Sequence, residues 1–294
     1  VAEYHNPHLG EEGEADWKPA PADKPGRIVV VGAGVGGLEA AWIAAARGHA
    51  VTVFGANDEV GGGLRLEAQL PGRGDVAKVF DHQRRMAERH GVVFRLGETA
   101  TAADIRALSP DSVVLATGAE PRWPETLKVE PGDEARVISA RSVVAHELPA
   151  HAGRSLAVLF DQDHGPFTYG VADKLAEMFE RVVLITPRPN IAQRVNHCSA
   201  VGVYRRLYAA GVEILPAMEP VSLTAGRLIC RNVYAGHDRV FEAVDLLVYA
   251  TPRSARDVLS AELDGLQVHR VGDCQSPRDL LAAIHGGHAI GNLV

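Results

Sequence analysis

Cysteine, aromatic residues, basic clusters and long apolar runs are all scarce in this chain. The three cysteines, Cys198, Cys230 and Cys274, lie far apart, with no CxxC pair and no metal-ligand spacing. That excludes a disulfide framework and a metal motif, and reduced, buried thiols are expected, as in a cytoplasmic protein. The net charge is −7 with no basic block, so nucleic acid is not the expected partner. No apolar run approaches the roughly 18 residues a membrane span needs, and no signal-peptide pattern opens the sequence. The remaining balance, 46% hydrophobic and 23% charged over 294 residues, is that of a globular protein large enough for two domains. A cytoplasmic location without membrane contact is the expectation.

What is present begins at Arg27. A mostly apolar strand, Arg27 to Val31, breaks into Gly32, Gly34, Gly36 and Gly37 and continues as an Ala-rich helix, Leu38 to Arg47, ended by Gly48. A strand ending in G-x-G-x-x-G turns tightly at its first glycine, admits phosphate to bare backbone at the second, and packs its helix closely at the third. The helix N-terminus then faces the anion. A second strand, Val51 to Phe54, completes a βαβ unit. The carboxylate that usually follows it and reads the adenosine ribose is missing, because the sequence continues Phe54-Gly55-Ala56. Asp58 or Glu59 could substitute, or both could be solvated loop charges. This weakens an NAD-type reading more than a flavin or ADP reading.

Residues 1–25 are polar and rich in Glu, Pro and Gly, and read as an extended arm. After the first unit come Gly61-Gly62, a helix from Val76 to His90, and strands at Val92 to Arg95 and Ser112 to Ala116. The expected domains are a nucleotide-binding part at 26–150, a middle domain at 151–264 and a return to the first domain at 265–294. The middle domain starts with a strand at Ser155 to Phe160, then a helix at Gly170 to Phe179 and a strand at Arg181 to Thr186. Its turn, Asp161-Gln162-Asp163-His164-Gly165-Pro166-Phe167, puts two carboxylates where a pyrophosphate would sit, which argues against NAD(P)H there. Arg188 could read a 2′-phosphate, or be a surface cation. The last strand ends in Val271-Gly272-Asp273 and precedes a helix with Ser276 as cap and Pro277 in its first turn.

Four separated features coincide: Gly32 to Gly37, the Gly61-Gly62 pair, Ala116-Thr117-Gly118 and Gly272-Asp273. Together they resemble an α/β fold of two Rossmann-like domains of the flavoprotein disulfide-reductase type. That resemblance implies that Asp273 binds the ribityl chain of FAD, and that backbone around Arg278 to Leu280 stabilises a reduced flavin. The residues alone also allow Asp273 to be a helix-capping carboxylate. The arm, with Asn6-Pro7-His8-Leu9-Gly10-Glu11-Glu12 and Trp17-Lys18-Pro19, resembles the join in the trimethylamine dehydrogenase and 2,4-dienoyl-CoA reductase family. There an FMN barrel and an iron-sulfur cluster precede this module. The cluster cysteine of that pattern is replaced here by Glu3, so no cluster is expected within the chain.

The middle domain resembles the amine dehydrogenase side of that family, which lacks a second Gly-rich motif and passes electrons to an electron-transfer flavoprotein. The expectation is therefore an FAD-binding, or alternatively ADP-binding, subunit of a multi-subunit amine dehydrogenase or demethylase. Its partners would be an FMN-barrel subunit and an electron-transfer flavoprotein. The alternatives are a self-contained FAD- and NAD(P)H-dependent reductase and a structural ADP scaffold. No residue is assigned to catalysis: His151, His164 and His197 form no base-and-nucleophile pattern. His285 and His288 share one helix face, either beside a flavin or as an ordinary helical pair.

Overall fold

The structure is a computed structural model and describes residues 6, 7, 9, 17–146, 148 and 155–294. Glu3, His8, Gly10, Glu11, Glu12 and His151 lie outside the described residues. In chain order the elements begin with β1 (Arg27–Val31), α1 (Val35–Ala46), β2 (Ala50–Gly55), α2 (Gly63–Ala68), α3 (Ala77–Arg89), β3 (Val93–Leu96), α4 (Ala102–Ala107) and β4 (Ser112–Leu115). Next come β5 (Ala119–Pro121), β6 (Lys128–Val129), β7 (Val137–Ser139), α5 (Ala140–Ala145), β8 (Leu156–Asp161), α6 (Pro166–Ala176), β9 (Arg181–Ile185) and α7 (His197–Ala209). The chain continues with β10 (Glu213–Leu215), β11 (Met218–Thr224), β12 (Arg227–Asn232), β13 (Asp238–Phe241), β14 (Leu246–Ala250), β15 (Arg253–Ala255), β16 (Gln267–Arg270) and α8 (Leu280–Leu293).

Two compact units result. The first holds the chain up to Ala68 with Asp75–Glu120 and Arg253–Val294; the second holds Gln69–Gly74 and Pro121–Pro252. These divisions differ from the expected ones at 150 and 264, and pairing explains why. The short strand β7 joins β14, which draws residues 121 onward into the second unit. Strand β15 pairs with β5, and Arg256 N–H donates to Gly118 O at 2.9 Å, which draws residues from 253 into the first. The excursion at 69–74 follows Leu70, which packs so closely on Gly170 that a Cβ there would lie 2.8 Å from its Cδ1.

The first unit is a parallel sheet in the order β16-β4-β1-β2-β3. Strand β1 is apolar at successive positions because both faces are covered. Ile28 and Val30 face α1 and α3, whereas Val29 and Val31 join Phe54, Ile105, Leu115 and Leu263 on the other side. Helix α3 presents Phe80, Gln83 and Ala87 inward, one face at helical spacing. Helix α8 meets α1 through glycine: a Cβ on Gly287 would lie 2.3 Å from Gly36 O, and one on Gly291 2.9 Å from Ala40 O. The two helices therefore pack backbone to backbone.

The second unit has a parallel sheet, β10-β9-β8-β14-β7, and a smaller sheet, β13-β12-β11-β6. Val158, Phe160, Val183, Ile185, Leu223, Leu228 and Leu247 form its core. Helix α6 begins at Pro166, earlier than the expected Gly170, because proline is well placed in a first turn. Helix α8 begins at Leu280 with Asp279 as its cap; Ser276 and Pro277 precede it in the loop. Cys230 and Cys274 are buried, but Cys198 is exposed at the start of α7, which corrects the expectation for that thiol. Burial pushes the Cys230 thiol up to about 12.

Candidate nucleotide-binding site

The glycines between β1 and α1 divide by what surrounds them. Gly32 adopts φ 114°, and a Cβ there would lie 2.2 Å from the Ala116 carbonyl oxygen. A Cβ on Gly37 would lie 2.0 Å from Gly32 O. Both glycines are demanded by the protein's own backbone. Gly36 is tighter than it is open, with Ala283 O 3.1 Å from its Cβ position. At Gly34, chain neighbours and its own helix apart, no atom of the described residues lies within 4 Å of the Cβ position. Its bareness serves no internal contact, and the space beside it is what a phosphate group needs.

The start of α1 fits an anion for a second reason. Gly34 supplies no side-chain cap, and the first turn has no acidic residue. The first-turn N–H groups of a 12-residue helix are thus left to whatever binds there. The Gly61-Gly62 pair abuts the loop from the other side: Gly61 N–H donates to Ala33 O at 2.8 Å, and a Cβ on Gly62 would lie 3.0 Å from the Gly34 Cα. The end of β2 is tightly packed. Gly55 has Leu96 Cδ2 2.8 Å and Ala33 Cβ 3.1 Å from its Cβ position. Glu59 is taken up by Arg65 at 2.5 Å, and Asp58 lies over Gly97, 2.6 Å from that residue's Cβ position.

Further along the same sheet edge, the ends of β4 and β16 carry the remaining expected residues. Ala116 N–H donates to Val31 O at 2.8 Å, and Gly118 turns with φ 79° into open space. The Thr117 hydroxyl donates to the Arg256 carbonyl and lies 3.1 Å from the Cys274 sulfur. Gly272 has φ 61°, and its Cα lies 3.7 Å from the Cβ position of Gly36. Asp273 is committed within the protein: Oδ2 pairs with Arg253 Nη1, and Oδ1 accepts from Arg278 N at 3.1 Å. Arg253 Nη2 also donates to Arg278 O at 2.7 Å. The start of α8 is filled as well, since the Asp279 carboxylate accepts from Ala282 N at 2.9 Å.

Sequence reasoning missed Arg253 and Asp279. A carboxylate immediately before Leu280-Leu281 is a cap signal that was available; the Arg253 pair depends on tertiary placement alone. It also passed over Glu39, a buried carboxylate one turn into α1. Glu39 Oε2 accepts from Trp42 Nε1 at 2.8 Å and Gln83 Nε2 at 2.9 Å, and Oε1 lies 3.2 Å from His288 Nδ1. The His288 ring also meets Trp17, centroids 4.8 Å apart. His288 is therefore a satisfied core residue, and the half-buried His285 shares its helix.

The turn of the second unit is built differently. Asp161 is fully buried and faces inward, accepting from Tyr169 Oη at 2.7 Å and from His164 N at 2.8 Å. Burial raises its carboxyl above the usual range, against the pull of His164 and Tyr169. Asp163 alone faces the helix start, where its Oδ2 lies 2.7 Å from the Cβ position of Gly165. It is held there by Arg194 at 3.0 Å. His164 is buried, its Nε2 3.5 Å from Thr186 Oγ1, whereas His197 is exposed at the start of α7. Arg188 is exposed and lines a cavity of about 260 Å³ with Gln162, Pro187, Val233 and Pro252.

A parallel sheet with an open glycine loop at the end of its first strand, joined in the chain to a second unit that has a parallel sheet but no such loop, defines a flavoprotein module of the disulfide-reductase type. The chain belongs to the pyridine nucleotide-disulphide oxidoreductase family, whose model matches residues 26–275. It is 32% identical to an N,N-dimethylglycine/sarcosine dehydrogenase of Chromohalobacter salexigens, over 90% of this chain and 44% of that protein. It is 28% identical to an NADH oxidase of Thermoanaerobacter brockii, over 97% of this chain and 43% of that one. The structure of 6-hydroxypseudooxynicotine amine oxidase from Pseudomonas geniculata N1 superposes with a TM-score of 0.87 at 27% identity, covering 99% of this chain and 46% of that chain. The chain thus spans less than half the length of these relatives. Among the described residues, no helix is long and apolar enough to cross a membrane.

Proposed function

We propose that the chain holds the adenosine diphosphate part of FAD, or ADP itself, on Gly32–Gly37, as the nucleotide-binding part of a flavin-dependent amine dehydrogenase or demethylase. The observation that carries the binding site is Gly34, a bare helix start where, local chain apart, no atom of the described residues lies within 4 Å of the Cβ position. Gly36, Gly37, Gly61 and Gly62 shape the cradle, and Ala116, Thr117, Gly118, Gly272 and Asp273 line the edge along which a longer nucleotide would run. FAD, where bound, would supply electron transfer. The chain's own residues bind and orient the nucleotide, with no side chain assigned to proton transfer at substrate carbon.

The amine chemistry is supported by the dimethylglycine/sarcosine dehydrogenase and the amine oxidase among the relatives. In this reading it takes place on an FMN barrel outside these residues, carried on a separate subunit, with an electron-transfer flavoprotein as acceptor. This reading assigns no iron-sulfur cluster to these residues, because Glu3 stands where a cluster cysteine would be. A second reading, a self-contained NAD(P)H-dependent reductase, is favoured by the NADH oxidase relative. The Asp163 carboxylate over Gly165 opposes it, because a pyrophosphate there would meet a like charge.

Calorimetric titration of the purified chain with ADP and with FAD tests the site. One nucleotide per chain is expected, and no binding of either would overturn the reading. Adding NADH or NADPH to the flavin-loaded chain separates the two activities: an unchanged flavin spectrum supports the first reading and bleaching the second.

A further inference from the structure

The strands of the first sheet place the two ends of a bound dinucleotide. Their order is β16-β4-β1-β2-β3, so with the diphosphate on the α1 start after β1, the adenosine runs toward β2. Anything attached beyond the second phosphate must cross the ends of β4 and β16. Two groups there that could serve a polyol, Thr117 and Asp273, are already engaged. Thr117 is tied to the Arg256 carbonyl and sits 3.1 Å from the Cys274 sulfur. Asp273 has one oxygen on Arg253 and the other on Arg278 N at 3.1 Å. The α8 start, where a flavin ring would look for positive potential, is capped by Asp279 at 2.9 Å.

We infer that Arg253 is a specificity-determining residue of this site: by pairing with Asp273 it closes the half that would receive a polyol-linked flavin, so that ADP is preferred over FAD. A chain of hydroxyl groups entering this edge would have to displace a guanidinium from a carboxylate, and the same guanidinium is anchored a second time on Arg278 O at 2.7 Å. A charge-assisted pair outcompetes neutral hydroxyls for the carboxylate oxygens. ADP ends at its second phosphate and leaves the pair intact. The phosphate loop is unaffected by the latch, since Gly34 remains open whichever way Asp273 is used. This inference rests on the nucleotide site proposed above.

The test is a set of calorimetric titrations with ADP and with FAD on the wild-type chain and on Arg253→Met and Arg253→Gln. Methionine keeps an apolar stem and glutamine keeps polarity, so the two replacements perturb the fold in different ways, and thermal denaturation identifies a variant that folds. The wild type should prefer ADP by about tenfold or more, and a folded Arg253 variant should gain about tenfold in FAD affinity with ADP binding changed less than about threefold, the scale of one lost charge-assisted bond. Adding Asp273→Asn to the variant should cancel the gain, because the freed acceptor is then neutral. Equal affinity of the wild type for both nucleotides, or an unchanged ratio in the Arg253 variants, would overturn the inference while leaving the site in place. If the wild-type chain binds neither nucleotide, the site itself is wrong.

Discussion

At the end of β1 the chain turns into α1 through bare backbone, and beyond the local chain no atom of the described residues lies within 4 Å of the Gly34 Cβ position; at the end of β8 it turns into α6 with the Asp163 carboxylate 2.7 Å from the Gly165 Cβ position. Both turns end a parallel strand and start a helix. One leaves its helix start empty, whereas the other fills it with a side chain held by Arg194 at 3.0 Å. The second also buries Asp161, which holds His164 N and the Tyr169 hydroxyl, so that carboxylate is spent within the turn. A helix N-terminus becomes an anion site only where the protein declines to use it.

Four substitutions or conditions probe this contrast. The largest effect is expected from Gly37→Ala, since the new methyl would lie 2.0 Å from a backbone carbonyl that cannot step aside. About 3 kcal/mol or more of stability should be lost, which thermal denaturation of the variant measures. Gly34→Val should leave the melting temperature unchanged yet weaken nucleotide binding about 100-fold, roughly 2.8 kcal/mol. A glycine pair three residues apart would then be split into one that serves the fold and one that serves the ligand.

In the second turn, Tyr169→Phe strands an Asp161 oxygen and the Ala192 N–H, which the phenol accepts at 2.5 Å. A loss of about 1–2 kcal/mol is expected from unsatisfied buried groups. Nucleotide affinity should stay the same, and a drop in it would break the separation of roles. The smallest effect concerns pH. Burial, with Arg47 nearby, holds the His49 imidazole below its usual value, so its contribution to the first unit is full above about pH 6.5 and fades as pH falls through that range. Burial raises the Asp161 carboxyl, so its contribution to the second unit is full below about pH 3.9 and fades as pH rises. Hydrogen exchange of each unit between these limits should respond in opposite directions, and His49→Gln and Asp161→Asn should each flatten one response.

How much of this was legible beforehand follows the range of the interactions. The loop glycines and the strands Arg27–Val31 and Arg181–Ile185 are local patterns, and they lie where periodicity and turn chemistry put them. The Pro-rich stretch near 119–149 hides the helix α5 and the strands β5, β6 and β7, which pair with β15, β11 and β14 from far along the chain. Asp161 and Asp163 looked alike in sequence, but one points into the core and the other over the helix, a distinction set by side-chain direction. Arg253 and Asp273 are likewise 20 positions apart and meet only through the fold.

The central claim, one adenine nucleotide held by the empty helix start after β1, is tested most directly by denaturing the purified chain and identifying the released nucleotide by mass and absorbance. The wild type should release one adenosine diphosphate-containing nucleotide per chain, and folded Gly34→Val should release none. Stoichiometric nucleotide from Gly34→Val, or a nucleotide-free wild type that also fails to bind added ADP, would contradict it.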